Sequence, residues 1–513
     1  MAYKKLKIPD PDLKTHIPSI LGKDWVFIFE YDVDFNKQHF EIAMSNIVKQ
    51  PNINSTVIIR ADILIENQYD ENKGDTMFKS KLINDFPKED GLLYRDISDL
   101  EIRKPNIDMD LKLKIEIVRR IIPRNPFKDF IINQTCIILS GDNSLLVIYS
   151  PHINHQDETP YYLPPVKSIG ILYHKSKISI HYLPYIREEL VNMASSERPI
   201  RIALRLLQTS IKHSKGVKDG YEKRVIHDLV VPKIEFQNRY ISLKQKYSVD
   251  LVNNWVEKTP ATKHVFEDLA IAAFLIEYWI IKGFKKEEFE FRDLGCGNGL
   301  LVYILIMEGY KGKGIDARER KSWSIYPKEV RDNLLEQIIV PEVILQPHPA
   351  LGVNITREFK NGDNILTSNE LLNSPDVCTS FQKNTFIIGN HSDELTCWIP
   401  LFGHPFLVIP CCSHALNGDK VRYPPINRKN VSTYGSLVDH VEKIAQMTGW
   451  LVEKEMLRIP STRNAAIMSN KNILKESEDI STTRKLDIIA LEGGAEKWVE
   501  NSLKLRSSNP RNH

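Results

Sequence analysis

Three glycines at alternate positions, Gly295, Gly297 and Gly299, stand between an apolar strand and an apolar helix. The stretch from Phe289 to Ala317 reads F-E-F-R-D-L-G-C-G-N-G-L-L-V-Y-I-L-I-M-E-G-Y-K-G-K-G-I-D-A. Phe289, Phe291 and Leu294 flank a short β-run that reaches Asp293. The glycines permit positive φ and leave no side chain where a ligand must approach the backbone. Leu300 to Met307 is an almost unbroken apolar helix, as expected of one packed on a sheet. Its N-terminus would point unpaired N–H groups at whatever lies over the turn. Lys313 to Asp316 then reads as the next parallel strand, with a carboxylate at its C-terminal end. Open α/β sheets bind their ligands at that end.

Glycine spacing narrows the ligand. A dinucleotide turn needs G-x-G-x-x-G. Counting from Gly295, the third glycine position is Leu300; counting from Gly297, it is Val302. The pattern present is D-x-G-x-G-x-G with an acid after the following strand. It resembles the S-adenosylmethionine turn of Rossmann-like methyltransferases. The resemblance implies that Gly295 and Gly297 make room for the methionine part, that Asn298 and Gly299 belong to the same cofactor-binding turn, and that Asp316 accepts from the two ribose hydroxyls. Asp293 would stabilise the ligand's ammonium or hold the loop. An ordinary glycine-rich β–α turn is the alternative, and the position of Asp316 weighs against it.

The chain has 513 residues, enough for two or three domains with full cores. Apolar content of 42% and charged content of 26% mark a soluble globular protein. A net charge of +3 permits a nucleic-acid partner without requiring one. Six cysteines, at 136, 296, 378, 397, 411 and 412, are too sparse for a disulfide framework, so reduced cytosolic thiols are expected. The N-terminus lacks the apolar run of a signal peptide. The greasiest run, Leu269 to Ile281, is interrupted by Glu277 and too short for a membrane span.

Residues 1–185 predict an α+β N-terminal domain with an antiparallel sheet, expected to bind RNA. Strands are expected over Trp25–Tyr31 and Ser55–Tyr69, a helix over Phe35–Val48, and a basic amphipathic helix over Leu111–Ile122 ending at Pro123. Two strand pairs turn at Gly141-Asp142-Asn143 and His174-Lys175-Ser176. Residues 186–260 read as a helical connector carrying a basic loop. In that loop Lys212, Lys215, Lys218, Lys223 and Arg224 suit phosphate contacts and Tyr221 could stack on a base; a solvated basic loop is the plainer reading. The methyltransferase-like domain is expected over 261–470, and a C-terminal helix and tail over 471–513. Arg318–Tyr326 would open a helix and Val343–Gln346 would supply the third strand. Asp363, in a Gly-Asp-Asn turn, could reach an adenine amine or cap the next helix.

A second informative stretch is F-I-I-G-N-H-S-D-E-L-T over 386–396. Phe386–Ile388 is a buried strand, and Asn390, His391, Asp393 and Glu394 crowd its C-terminal end. Ser392 would begin a helix whose first turn suits the two carboxylates. More polar groups gather there than a cap requires. Another buried strand, Phe406–Ile409, ends in Cys411-Cys412-Ser413-His414. Adjacent cysteines do not supply the paired spacing of structural zinc, so no metal is expected.

Taken together, D-L-G-C-G-N-G-L-L-V, G-I-D-A-R-E-R-K-S-W, I-I-G-N-H-S-D-E-L-T-C-W-I-P, I-P-C-C-S-H and R-I-P-S-T-R-N resemble the eukaryotic tRNA (uracil-2′-O-)-methyltransferase family. Upstream, I-P-R-N-P, Y-Y-L-P-P-V and G-Y-E-K-R-V-I-H-D-L-V-V-P add to the resemblance, which runs from about residue 120 to 470. It implies an α/β fold: a Rossmann-like domain with a mixed, mostly parallel sheet, using S-adenosylmethionine and no metal, in the cytoplasm. It also implies methylation of a uridine ribose, uridine-44 beside the variable arm of serine tRNA. The base for the 2′-hydroxyl would come from His391, Asp393 or Glu394, with Asn390 holding donor or nucleotide. The stretch lacks the lysines of the Lys-Asp-Lys-Glu set that many 2′-O-methyltransferases use. Two other functions fit the residues: a methyltransferase for proteins or small molecules, and a non-catalytic tRNA-binding subunit.

Overall fold

A computed structural model describes the chain except residues 1–7, 10, 12, 14–16, 70–75, 82–90, 222–226, 346–357, 362–363, 427–431, 475–477, 496 and 508–513. It divides into two units, residues 1–223 and 224–513.

The first unit is an antiparallel sheet with helices. Its strands are β1 (Val26–Asp32), β2 (Ile58–Tyr69), β3 (Thr76–Lys81), β4 (Lys112–Pro123), β5 (Ile132–Gly141), β6 (Ser144–Pro151), β7 (Val166–His174) and β8 (Lys177–Pro184). They lie in the order β1-β8-β7-β6-β5-β4-β2-β3. The β7–β8 turn places Lys175 and Ser176 at φ +46° and +62°, the left-handed pair that a two-residue hairpin needs to match strand twist. Helices α1 (Lys37–Lys49), α2 (Arg187–Val191) and α3 (Arg198–Lys218) follow the expected helical stretches. Phe40, Met44 and Ile47 of α1 and Ile200, Leu207 and Ile211 of α3 share one core with Val147, Ile171 and Ile180 of the sheet.

Leu111–Ile122 is not a helix. It is β4, paired on one side with β2 and on the other with β5, as in Ile117↔Cys136 and Val118↔Thr135. Lys112, Lys114, Arg119 and Arg120 imitate a helical charge stripe, but the β-branched I-E-I-V-R-R-I-I run prefers a pleated, two-sided burial. Its arginines are buried with partners: Arg119 donates to Gln134 Oε1 from Nε at 3.1 Å, and Arg120 donates to Ile97 O at 3.0 Å.

The expected basic loop is also helical in its first half. Lys212, Lys215 and Lys218 ride on α3, because Ile211 and Ser214 continue its buried face. The helical stretch 186–260 forms no unit of its own; α3 belongs to the first unit and the next helix to the second.

The second unit runs α4 (Lys233–Asn253), α5 (Ala261–Ile281), β9 (Glu290–Leu294), α6 (Leu300–Met307), β10 (Gly312–Asp316), α7 (Lys328–Arg331), β11 (Leu334–Glu336), β12 (Ile338–Ile339), β13 (Glu358–Asn361), β14 (Asn364–Thr367), α8 (Ser368–Leu372), β15 (Val377–Cys378), β16 (Thr385–Asn390), β17 (Phe406–Ile409), α9 (Thr433–Met447), β18 (Glu453–Met456), β19 (Ala465–Ser469), α10 (Glu478–Leu491) and α11 (Trp498–Ser507). Seven strands form one sheet in the order β11-β10-β9-β16-β17-β19-β18. The first five are parallel; β19 runs antiparallel to β17 and β18 antiparallel to β19. Strand order reverses between β9 and β16, which opens a crevice at their C-terminal ends.

Trp279 of α5 fixes this arrangement. It is fully buried, with ring centroids 5.0 Å from Phe289, 4.8 Å from Tyr310 and 5.5 Å from Phe386. Deleting such a side chain costs about 3–5 kcal/mol.

Four expectations for this unit change. The third strand is β11, not Val343–Gln346; Pro341 starts a 3₁₀ turn over Glu342–Ile344, and Gln346 lies outside the described residues. Lys321–Ile325 and Asp393–Leu395 are likewise 3₁₀ turns rather than helices. The C-terminal stretch holds two helices, and Ile488, Ile489, Trp498 and Val499 pack into the core of the sheet.

Candidate active site

The glycine turn closes over the tip of β10. Gly295 and Cys296 donate from their N–H groups to Ile315 O at 2.8 and 3.1 Å. Gly295, Gly297 and Gly299 all adopt positive φ, +73°, +52° and +72°. Their surroundings differ. A Cβ on Gly299 would meet Leu334 at 3.0 Å, whereas a Cβ on Gly297 would meet nothing within 4 Å. Gly299 therefore serves packing, and Gly297 faces open space. Trp323 Nε1 donates to Gly297 O at 2.9 Å, and Ser322 Oγ and Tyr326 OH donate to Asn298 O at 2.7 and 3.1 Å. The turn is braced from outside, which leaves its inner rim to a ligand.

Asp316 stands at the end of β10. Its Oδ2 accepts from Gly297 N at 2.9 Å and its Oδ1 from Arg318 N at 3.2 Å. Each carboxylate oxygen has a second lone-pair site, so two ligand hydroxyls can still be received.

Asp293 lies beneath the turn. It is 1% exposed, and its Oδ1 has no hydrogen-bond partner. Burial, reinforced by Asp268 and Asp316, pushes its carboxyl well above the usual range. With its charged form disfavoured by burial, the carboxyl in that place suits support of the loop.

The tip of β16 faces the turn across the crevice. His391 and Asp393 have φ of +54° and +43°, left-handed conformations that cost a non-glycine residue about 1–3 kcal/mol. Asp393 Oδ1 accepts from the Cys411 thiol at 3.0 Å. His391 Nε2 donates to Glu267 Oε1 at 3.2 Å, and its Nδ1 is buried without a partner. Asn390 Nδ2 donates to Asp268 Oδ1 at 2.9 Å. Glu394 lies 3.9 Å from His414 Nε2.

Glu267 and Asp268, both from α5, were not singled out in the sequence. Burial would raise Glu267, but the hydrogen bond and charge of His391 outweigh it and hold the carboxyl low. Burial, with the neighbouring Glu267 charge, pushes Asp268 up to about 7, against the pull of the Asn390 amide. In sequence they are only two adjacent acids before the almost wholly apolar stretch from Leu269 to Trp279, with nothing to name their partners.

These groups line one cavity of about 850 Å³. Gly295, Gly297, Asn298, Asp316, Asn390, His391, Asp393 and Glu394 are all on its wall, with Glu267 and Asp268. Asp293 and Gly299 are not. Asp363 lies outside the described residues. Trp498, Ser502 and Leu505 bring α11 to the same wall. Asp393, Cys411 and Cys412 converge so that their ligand atoms lie within 4.8 Å of one another.

Open space over Gly297, a hydroxyl-accepting carboxylate at Asp316 and carboxylates among a mixed-charge lining suit a ligand that joins a ribose to a sulfonium and an ammonium.

Of the basic residues in the first unit, Lys218 Nζ is tied to Asp34 Oδ2 at 2.8 Å. Lys212 and Lys215 are exposed, and Tyr221 is 76% exposed. Lys223 and Arg224 lie outside the described residues.

The sheet order, the glycine turn and the cavity beside Asp316 at the strand reversal define a Rossmann-like methyltransferase domain. Residues 230–341 match the family model described as "Predicted AdoMet-dependent methyltransferase", and residues 4–224 match "TRM44-like, N-terminal bet v1-like domain". The chain is 56% identical to a tRNA (uracil-O(2)-)-methyltransferase of Debaryomyces hansenii, over 98% of each protein. It is 50% identical to one from Kluyveromyces lactis, over 96% of this chain and 98% of that one. For one from Saccharomyces cerevisiae the figures are 49%, 96% and 95%. The chain belongs to the tRNA (uracil-O(2)-)-methyltransferase family, and its methyl donor is S-adenosylmethionine. No solved structure matches it. The bet v1-like match accounts for the antiparallel first unit.

Proposed function

We propose that this enzyme methylates the 2′-oxygen of a uridine ribose in tRNA, at uridine-44 of serine tRNA, in the cytoplasm. The observation that carries the reaction class is the facing of two strand tips, Asp316 beside the glycine turn and Asp393 across the crevice, on one cavity wall. Asp316 and the Gly295–Asn298 backbone hold the donor, with Asn390 and Asp268 beside them. Bound S-adenosylmethionine supplies a methyl already activated by positive sulfur. The protein's task is then to align the acceptor oxygen and to receive its proton.

Asp393 is the base. The Cys411 thiol fixes its carboxylate at Oδ1, and the strained backbone at 391–393 aims it into the cavity. His391 is committed to Glu267 through Nε2, and it shapes the wall beside the base. Lys215 and Tyr221 of the first unit contribute RNA contacts by charge and stacking. The names of the relatives support a tRNA uridine as acceptor, the family resemblance supports position 44 of serine tRNA, and six free thiols suit the cytoplasm.

The test is transfer of labelled methyl from S-adenosylmethionine to a serine-tRNA transcript. Label in the 2′-O-methyl nucleoside at position 44 is expected, and its loss when uridine-44 is replaced by 2′-deoxyuridine. Label elsewhere, or in protein alone, would overturn the assignment.

A further inference from the structure

Between β18 and β19 the chain forms a braced loop. Leu457 N donates to Asn464 O at 2.7 Å and Asn464 Nδ2 to Leu457 O at 2.8 Å. Arg458 grips Asp228 with two bonds, Nε to Oδ1 at 2.8 Å and Nη2 to Oδ2 at 2.5 Å. Arg463, five residues on, makes no ion pair among the described residues. Its guanidinium lies 5.8 Å from the centroid of the Tyr434 ring. Tyr434 is held in turn, because its hydroxyl accepts from Ala465 N at 2.9 Å.

Arg463 is exposed and belongs to the wall of the active-site cavity, together with Cys412 and Asp393. Burial and the neighbouring Asp393 carboxylate push the Cys412 thiol up, and the Arg463 charge opposes them. An arginine propped on an aromatic ring, with carboxylates on the same wall yet no ion pair among the described residues, is arranged for an anion that arrives from outside. RNA brings that anion by its covalent structure. Every internal ribose carries a phosphodiester on its 3′-oxygen, on the carbon next to the 2′-hydroxyl. Seating the 2′-hydroxyl on Asp393 therefore brings the 3′-phosphate close beside it.

We infer that Arg463 binds the phosphate on the 3′ side of the acceptor ribose, so that the site takes a polynucleotide and discriminates against a free nucleoside. The inference rests on the 2′-O-ribose reading above. The same wall carries further cations, Lys258, Lys263, Arg318, Arg320 and Lys321, of which Lys263 is exposed and without an ion pair among the described residues. A planar guanidinium suits the fixed fork of phosphate oxygens better than an ammonium does.

The experiment crosses two perturbations. One is Arg463→Ala. The other is a synthetic serine-tRNA acceptor whose single linkage 3′ to the target ribose is an uncharged methylphosphonate. Each alone should lower kcat/KM about 10- to 100-fold, the worth of one charge-assisted contact. Combined, they should lose no more than either alone. Arg463→Ala should bind S-adenosylmethionine as the wild type does, and should reduce the slope of log K for tRNA against log salt by about 1. Wild-type kcat/KM for Arg463→Ala, or for wild type on the methylphosphonate acceptor, would overturn the inference, as would losses that multiply. A wild-type enzyme that leaves the unmodified acceptor unmethylated would instead overturn the reaction assignment and the inference with it.

Discussion

Replacing Asp316 with alanine isolates the donor-holding half of the account. In the free protein its two oxygens accept from Gly297 N at 2.9 Å and Arg318 N at 3.2 Å. In the donor complex the same oxygens would also receive two ribose hydroxyls. A hydrogen bond to a charged group contributes about 1.5–3 kcal/mol. Two at the low end give about 3 kcal/mol, a rise in Kd on the order of 100-fold. Asp316→Asn keeps one oxygen acceptor without the charge, and a rise of about 10-fold follows. Isothermal titration with S-adenosylmethionine reads both. An analogue lacking both ribose hydroxyls separates ligand contact from turn collapse: it should bind wild type and Asp316→Ala within about threefold. Unchanged S-adenosylmethionine affinity in Asp316→Ala would refute the reasoning, because the Asp316 carboxylate could not then be receiving the ribose.

Further outcomes follow from individual positions. Gly297→Ala should fold normally apart from about 1–2 kcal/mol of backbone strain and lose donor binding, read by titration. Gly299→Ala meets Leu334 and Trp323 and should lower the melting temperature more than Gly297→Ala does. Asp268 holds a proton in the folded chain up to about pH 7 that the unfolded chain sheds near its ordinary pKa. Between roughly pH 4 and 7, wild-type stability should therefore fall relative to Asp268→Asn by up to about 1.4 kcal/mol per pH unit and level off above; denaturant titrations across pH measure it. Asp393→Asn should lower kcat about 10²- to 10⁴-fold with donor affinity unchanged, separable by single-turnover methyl transfer and titration.

The donor site could be read from sequence because its chemistry is local. Gly295, Gly297 and Asp316 fall within one strand-turn-helix-strand run, where spacing alone brings turn and carboxylate together. The tip of β16 was readable for the same reason, since four polar residues follow a short apolar strand. Glu267 and Asp268 were not, because they reach His391 and Asn390 from more than a hundred residues away, and only tertiary packing makes that link. The Cys411–Asp393 contact likewise needs β16 and β17 to lie side by side. In the first unit, β4 defeated periodicity because a strand buried on both faces loses its alternation and its lysines and arginines happened to mimic a helix face. Arg463 sat in a motif that carried the family resemblance, yet its place on the cavity wall emerges only when β18 and β19 pair.

Ribose-methylation mapping of tRNA from cells lacking this chain, and from the same cells given back wild type or Asp393→Asn, addresses the acceptor claim itself. The account predicts loss of 2′-O-methyluridine at position 44 of serine tRNA, restored by wild type and not by Asp393→Asn. Persistence of that methyl group in the absence of the chain, or its return with Asp393→Asn, would contradict it.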